Sequence, residues 1–470
     1  MNNTVFKNFS YSFFTNIIDV LIRSTYIFLL PKLIGVEDFG YWQLYFLYTQ
    51  FMHFCHCGLV DGVYLKIGGV LYEEIKKKKL INQFSILVML SIVYAILINL
   101  LGSIVDNENK KFIIFIISLD LIVMLPRTLL SIIFQATAQI NKFSIAMLSE
   151  IIVSFCCVAF FIANDIKDFH VIILADLFGR VCSLCVSLFL LPEFQHIHLI
   201  KKEDFLRSIV YVKIGVFLLL ANMAGMLIIS IIRLSIEYRW GIVEFSKISL
   251  SFSISNMILV AINAASLALF PCLKRMTKEK LKISYIILKD ALTFLLILIL
   301  VFYYPIRKIL EIWLPNYIDS FRYLGLLAPM CMYEAQMSLI YNNYLKSIRK
   351  ERVIFTINIF IVIIAFAIAG LTIFFNMSLI NLLLSVLGLG ITKIYIANHI
   401  MNKYFSKNEY SSLLITILTT IIFIICNFYI NGIFGMLIYM LYILIIYILL
   451  KNIYTKTIKD IKEIIQKYIT

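Results

Sequence analysis

The amino-acid sequence predicts an all-α polytopic membrane protein of about 14 transmembrane helices, with two six-helix lobes related by a pseudo-two-fold axis along the membrane normal and two further C-terminal helices. Three observations carry that expectation. First, 62% of the residues are apolar and only 15% charged, and mean hydropathy is +0.95, more hydrocarbon than a soluble core absorbs. Second, apolar runs of about 20 residues, the length that crosses a hydrocarbon layer of roughly 30 Å, recur along the whole chain. Third, two segments repeat at nearly one displacement. Membrane-barrel strands alternate apolar and polar residues, whereas runs such as LLITILTTIIFIICNF are apolar on every face, so the spans are helices.

Taken in order, MNNTVFKNFSYSFF holds one basic residue and enters a full-length span without a small-residue cleavage site, so the first helix is expected to stay. Spans 1 (9–30) and 2 (41–65) lead to a loop with Lys66, Lys76, Lys77, Lys78 and Lys79. Span 3 (80–105) reaches Lys110 and Lys111, span 4 (112–139) returns to Lys142, and span 5 (143–164) ends before Lys167. Span 6 (168–191) leads to Lys201, Lys202, Arg207 and Lys213; span 7 (209–234) and span 8 (245–271) bracket Arg239 and return to Lys274, Arg275, Lys278, Lys280 and Lys282. Spans 9 (283–304) and 10 (318–345) end at Lys346, Arg349, Lys350 and Arg352. Spans 11 (353–375) and 12 (378–401) end at Lys403 and Lys407, and spans 13 (411–430) and 14 (432–450) at the lysine-bearing tail.

Every second loop is therefore basic, and the opposite loops hold fewer than half as many cations. By the positive-inside rule both termini are cytoplasmic. The net charge of +15 is spread loop by loop and not gathered into one domain, which argues against a nucleic-acid partner. The tail KNIYTKTIKDIKEIIQKYIT places Ile453, Ile458, Ile461, Ile465 and Tyr468 near one helical face beside lysines, as an anchor on an anionic leaflet would.

GVEDFGYWQLYF from Gly35 and GIVEFSKISLSF from Gly241 share a leading glycine, an early acid, Phe, Leu and a closing Phe, at an offset of 206. FQATAQINKFS from Phe134 and YNNYLKSIRKE from Tyr341 each end a span before a short basic turn, at an offset of 207. A duplicated six-helix unit follows. The expected organisation is an N-lobe (1–191), a cytoplasmic linker (192–208), a C-lobe (209–401), spans 13 and 14 within 402–450, and the amphipathic tail (451–470). Two lobes of one orientation suit alternating access about a central site. No loop exceeds about 25 residues and no Gly-rich strand-to-helix turn occurs, which disfavours a membrane glycosyltransferase or glycan polymerase.

The stretch LLPKLIGVEDFGYWQLYFLYTQFMHFCHCGLVDGVYLKIGG resembles the opening pair of helices of the polysaccharide transporters, and SLALFPCLKRM and YNNYLKSIRKE resemble that family's ends of helices 8 and 10. The family belongs to the multidrug/oligosaccharidyl-lipid/polysaccharide exporter superfamily. The resemblance implies a flippase for undecaprenyl-pyrophosphate-linked oligosaccharide, such as an O-antigen or capsule repeat unit, in the bacterial inner membrane. An ion-coupled multidrug exporter is the alternative. The implied partners are the lipid-linked glycan, membrane lipids, H+ or Na+ and a glycan polymerase.

Charges inside spans are the candidate site, because each costs about 2.5 to 3.5 kcal/mol at the centre of a membrane helix unless it meets a partner or water. Asp19 and Arg23, and again Asp176 and Arg180, have the four-residue spacing of a helical ion pair. The resemblance implies a central cavity lined by helices 1, 2, 7 and 8, in which Arg23 offers its planar fork to a pyrophosphate. Arg233 is the second-lobe candidate, although the repeat sets it opposite Ile27. Substrate-binding candidates are thus Arg23, Asp19, Arg233, Arg180 and Asp61; coupling candidates are Asp176, Asp120, Glu150 and Glu334. Arg127 is expected to be buried as well. Lys289, Asp290 and Lys393 lie near cytoplasmic span ends, where snorkelling would carry their heads to water. No cofactor is expected, and no metal: nine cysteines scatter through the spans, and neither Cys182/Cys185 nor His53, Cys55, His56 and Cys57 sits in a metal-binding loop.

Overall fold

The computed structural model describes residues 2–195, 202–274, 276–406, 409–430 and 432–449. Among these residues there is no strand, and nine helices are long and apolar enough to cross a membrane. The protein is an all-α, multi-pass membrane protein. The expected tail helix 451–470 lies outside the described residues.

The chain divides into two compact units, Met1–Met223 and Ala224–Thr470. In the first, α1 (Asn2–Met52) takes up span 1 and the first half of span 2 with no loop between them. The change of direction is made by one residue, Gly35, at φ +82° and ψ 174°. Only glycine occupies that region without strain, so the helix restarts at once where a loop was expected. Span 2 then breaks again: a 3-10 turn, His53–His56, runs into left-handed Cys57 (φ +52°) and Gly58 (φ +85°), and α2 (Leu59–Ile67) follows. The Gly58 N–H donates to His56 Nδ1 at 3.1 Å, which uses one histidine of the HFCHC stretch as a local cap.

The remaining helices of this unit are α3 (Lys77–Gly102), α4 (Glu108–Ala136), α5 (Ile140–Ala163) and α6 (Phe169–Leu190). Asn107 caps α4 and Asp168 caps α6, each side-chain oxygen accepting an N–H of the first turn. α4 is the central rod, packed by α1, α2, α3, α5 and α6; Leu121, Met124, Leu129 and Phe134 are fully buried on it. After α6 the turn Pro192–Phe194 is pinned back on α3. Lys77 Nζ donates to Glu193 at 2.5 Å, and that bond holds the Glu193 carboxyl below the ordinary carboxylate range.

α7 (Lys202–Lys274) joins spans 7 and 8 as α1 joins spans 1 and 2. Its break is Gly241, at φ +79° and ψ −177°, 206 residues after Gly35 and in the same rare conformation. The division between units falls inside α7. Its opening stretch packs on α2 with backbones almost touching: a Cβ on Gly62 would stand 1.9 Å from the Tyr211 carbonyl oxygen, and one on Gly215 would stand 2.0 Å from that of Gly58. Gly58 and Gly62 thus form a small-xxx-small pair.

The second unit continues with α8 (Lys278–Ile299), a 3-10 turn Leu300–Phe302 and α9 (Tyr303–Trp313). Span 10, expected as one helix, is segmented into α10 (Ile318–Leu327), α11 (Met330–Gln336), a π-helical turn Met337–Asn342 and α12 (Asn343–Ser347). Pro329 ends the first segment because it lacks the N–H the ladder needs. α13 (Glu351–Phe374), α14 (Leu379–Phe405), α15 (Ser411–Phe428) and α16 (Ile433–Leu449) complete the unit. The last two are tied in by polar contacts: Tyr439 donates to the Ile297 carbonyl at 3.1 Å, Thr419 meets the Tyr442 hydroxyl at 2.8 Å, and Arg307 donates to Asn427 at 3.0 Å.

Candidate functional site

Five of the charges within spans 4 to 6 converge on one buried cluster in the first unit. Arg180, on α6, donates through Nη1 to Asp120 of α4 at 2.5 Å and through Nη2 to Asp176 one turn before it at 2.7 Å. Its Nε lies 3.9 Å from Glu150 of α5. Arg127, two turns after Asp120 on α4, donates to the other oxygen of Glu150. The Tyr45 hydroxyl of α1 adds a 3.0 Å bond to Asp176, and its ring lies 5.8 Å from the Arg180 guanidinium. Three carboxylates therefore face two guanidiniums, and Asp120 Oδ1, fully buried, has no hydrogen-bond partner. The cluster has one acid in excess, which suits it to take up a proton or a small cation.

The spacing of Asp176 and Arg180 suggests a self-contained pair, and the structure enlarges it to a network over α1, α4, α5 and α6. Arg180 is 7% exposed and hydrogen-bonded to two acids, with its Nε left without a hydrogen bond. Asp19 and Arg23 form the expected pair on α1, Nε to Oδ1 at 2.7 Å, but here the arginine side chain is 54% exposed against 18% for the acid. Asp61, on α2, has Oδ2 3.8 Å from His56 Nε2 and without a hydrogen bond.

In the second unit Arg233 is buried, donating to Ser249 at 2.9 Å and lying 5.2 Å from the Phe245 ring. Glu334, on α11, is paired with Lys393 of α14 at 2.8 and 3.1 Å. Lys393 is 7% exposed, so the snorkelling expected of it is wrong; its head turns inward because an acid waits there. Lys289 is 2% exposed and donates to Asn398 at 3.4 Å and the Glu409 carbonyl at 3.2 Å, which corrects the same expectation. The segmented span 10 also carries contacts between uncharged polar residues, which no charge in the sequence points to: Gln336 donates to Thr293 at 3.2 Å and Thr416 at 2.9 Å, and Tyr333 meets Thr420 at 2.6 Å. The residue-type signal was a run of amides and hydroxyls within an apolar span.

No protein-family model and no curated protein matches the chain by sequence. By structure it is similar to an inward-facing multidrug resistance MATE family transporter of the MOP superfamily, with TM-score 0.59, 13% identity, and coverage of 86% of this chain and 98% of that one. It is also similar to the lipid II flippase MurJ in an inward closed conformation, with TM-score 0.61, 14% identity, and coverage of 96% and 99%.

The chain has the fold of these transporters. That fold accounts for an architecture of membrane helices and nothing else, and it is built here on a sequence with almost no residue-level likeness to either neighbour. Roles for Arg23, Asp19, Asp61, Arg180 and the acids consequently rest on this chain's own geometry.

Proposed function

We propose that the protein is a flippase that moves undecaprenyl-pyrophosphate-linked oligosaccharide, of the O-antigen or capsule repeat-unit class, to the outer leaflet of the bacterial inner membrane by alternating access. Arg23 carries this reading. It is a cation within the expected span 1 whose side chain is more than half exposed, while Arg127 is paired with Glu150 and Arg180 with Asp120 and Asp176. Asp19 engages Nε and leaves the two Nη groups, the fork that meets phosphate oxygens in pairs. The fold is shared with a lipid flippase and with a drug transporter alike, so it is compatible with this reading and the choice rests on Arg23. The glycan head crosses beside such cations while its polyprenyl tail stays in lipid; the coupling ion and a glycan polymerase partner belong to this proposal too.

The test is surface glycan measured beside the amount of membrane-inserted protein. Loss of a charge-assisted contact predicts that Arg23→Ala lowers export at least about tenfold at normal protein level, that Arg23→Lys is impaired because the fork is lost, and that Asp19→Asn is milder. Normal export by well-inserted Arg23→Ala would overturn the role. The excess carboxylate in the Asp120, Glu150 and Asp176 cluster favours a second reading, ion-coupled export of cationic drugs. Under that reading Asp120→Asn abolishes dye efflux and Arg23→Ala leaves it intact.

A further inference from the structure

A second polar site lies away from the buried cluster, where the ends of α2 and α3 meet the opening stretch of α7. A cavity of about 160 Å³ is lined there by Lys66, Lys79, Gln83, Asp204, Arg207 and Tyr211, with Val210 at its edge. Three cations face one carboxylate, an excess of two positive charges contributed by three helices. Lys66 Nζ stands 4.6 Å over the Tyr211 ring, which holds the ammonium at the mouth. Arg207 lies 3.7 Å from Asp204 and 3.8 Å from Glu203, too far for a charge-assisted hydrogen bond, so its N–H donors are unspent on either acid. Lys79 makes no ion pair with any described residue. Gln83 is 2% exposed, and its side-chain oxygen is buried without a partner. A buried amide of this kind is costly unless something enters to meet it.

The chemistry these groups recognise is a phosphate with neighbouring hydroxyls: three cations for the anionic oxygens, and the Gln83 amide for a hydroxyl donor. The flanks say where such a phosphate comes from. Tyr64 and Leu65, just before Lys66 on α2, are 41% and 52% exposed, and Leu206 and Val210, on either side of Arg207 in α7, are 55% and 49% exposed, so exposed apolar residues accompany the pocket's cations along both helices. We propose that this pocket binds the phosphate of an anionic phospholipid head group, with its acyl chains along the apolar flanks of α2 and α7. The lipid bridges α2, α3 and α7 across the close contact of Gly62 with Tyr211. The site is independent of the transported cargo.

Native mass spectrometry of the full-length protein with phosphatidylglycerol, phosphatidylcholine and inorganic pyrophosphate as probes tests this. Phosphatidylglycerol is expected to be retained over phosphatidylcholine. Each pocket cation is worth about fivefold, so the Lys66→Ala/Lys79→Ala/Arg207→Ala variant should lose about 100-fold of that retention. Lys76→Ala/Lys78→Ala, which removes charge beside the pocket and not within it, should keep most of it, and Gln83→Leu should keep the charge attraction but lose preference for the glycerol head group. The substituted lysines and Arg207 are all exposed, so folding should be preserved, and melting temperature without lipid verifies it. Equal retention of the two lipids, or equal loss in the Lys76/Lys78 control, would overturn the site in favour of diffuse attraction. Tight pyrophosphate binding that displaces phosphatidylglycerol completely would overturn the lipid source and leave a soluble phosphate ester as the ligand.

Discussion

Arg180 touches acids from α4 and α6 and lies near a third on α5, which gives a single side chain unusual leverage on the first unit. Removing one member of a buried ion network leaves charge uncompensated, at about 3 to 5 kcal/mol. Arg180→Met is therefore expected to lower folded yield and melting temperature sharply in detergent, whereas Arg23→Ala, at a half-exposed pair, should change either by little. Equal losses in the two variants would contradict this division between scaffold and surface. The i, i+4 spacing made each of these pairs legible in the sequence. The joining of Asp120 and Glu150 to Arg180 was not legible, because those residues meet only through the packing of α4, α5 and α6, and the hydrogen bond from Arg180 to Asp120 spans 60 residues of sequence. Lys289 and Lys393 were misread for a related reason: distance from a span end does not say which way a side chain faces.

At the scale of the element, glycines decide where the rods bend and touch. Gly35 and Gly241 need φ near +80°, so alanine at either position should cost about 1 to 3 kcal/mol although nothing lies within 4 Å of the added methyl. At Gly62 and Gly215 the obstacle is space: the new Cβ would strike a carbonyl oxygen, which unlike a side-chain tip has no rotamer to escape into. Gly62→Ala and Gly215→Ala should each lower stability by about 1 to 3 kcal/mol or more, as overpacking does. Gly370→Ala and Gly388→Ala, helical with open space around them, should be neutral or gain up to about 1 kcal/mol. Thermal unfolding of the six variants separates strain, clash and control. The repeat in the sequence located the first two glycines, but not the loss of the loop beside each. Hydropathy also read spans 2 and 10 as single helices, since a break at Gly58 or Pro329 leaves the apolar run unchanged.

For the molecule as a whole, the alternation of basic loops sets the expected topology. Position 78 and the C-terminus should react with thiol reagents only from the cytoplasmic side, and positions 107 and 316 from outside. Single cysteines at these places, in a background freed of the accessible native cysteines, measure it. Cys331 and Cys426 are buried and are expected to react least of the nine. Impermeant reagent reaching position 78 from outside would reverse the assignment. Fold class was the most legible property of this chain because it depends on summed hydropathy, an average over hundreds of residues. Substrate contacts depend on a few atoms, and two transporters of one fold with 13% and 14% identity to this chain show how little of that detail hydropathy fixes.

The Asp120 to Arg180 bond also has a consequence in time. A ribosome adding about 5 to 20 residues per second needs on the order of 3 to 12 s to make the 60 residues between them. For most of that interval α4 is a complete apolar segment, and its acid has no finished α6 to meet. Arg127, two turns further along the same helix, is the one arginine of the network made before α5 and α6, and its partner in the folded protein is Glu150 of α5. The members of the network are thus made in the order α4, α5, α6, and Asp120 is the one that waits longest for its bond. A chain that stops between α5 and α6 should keep Asp120 without its arginine, and is expected to be cleared from the membrane faster than one that reaches the end of α6.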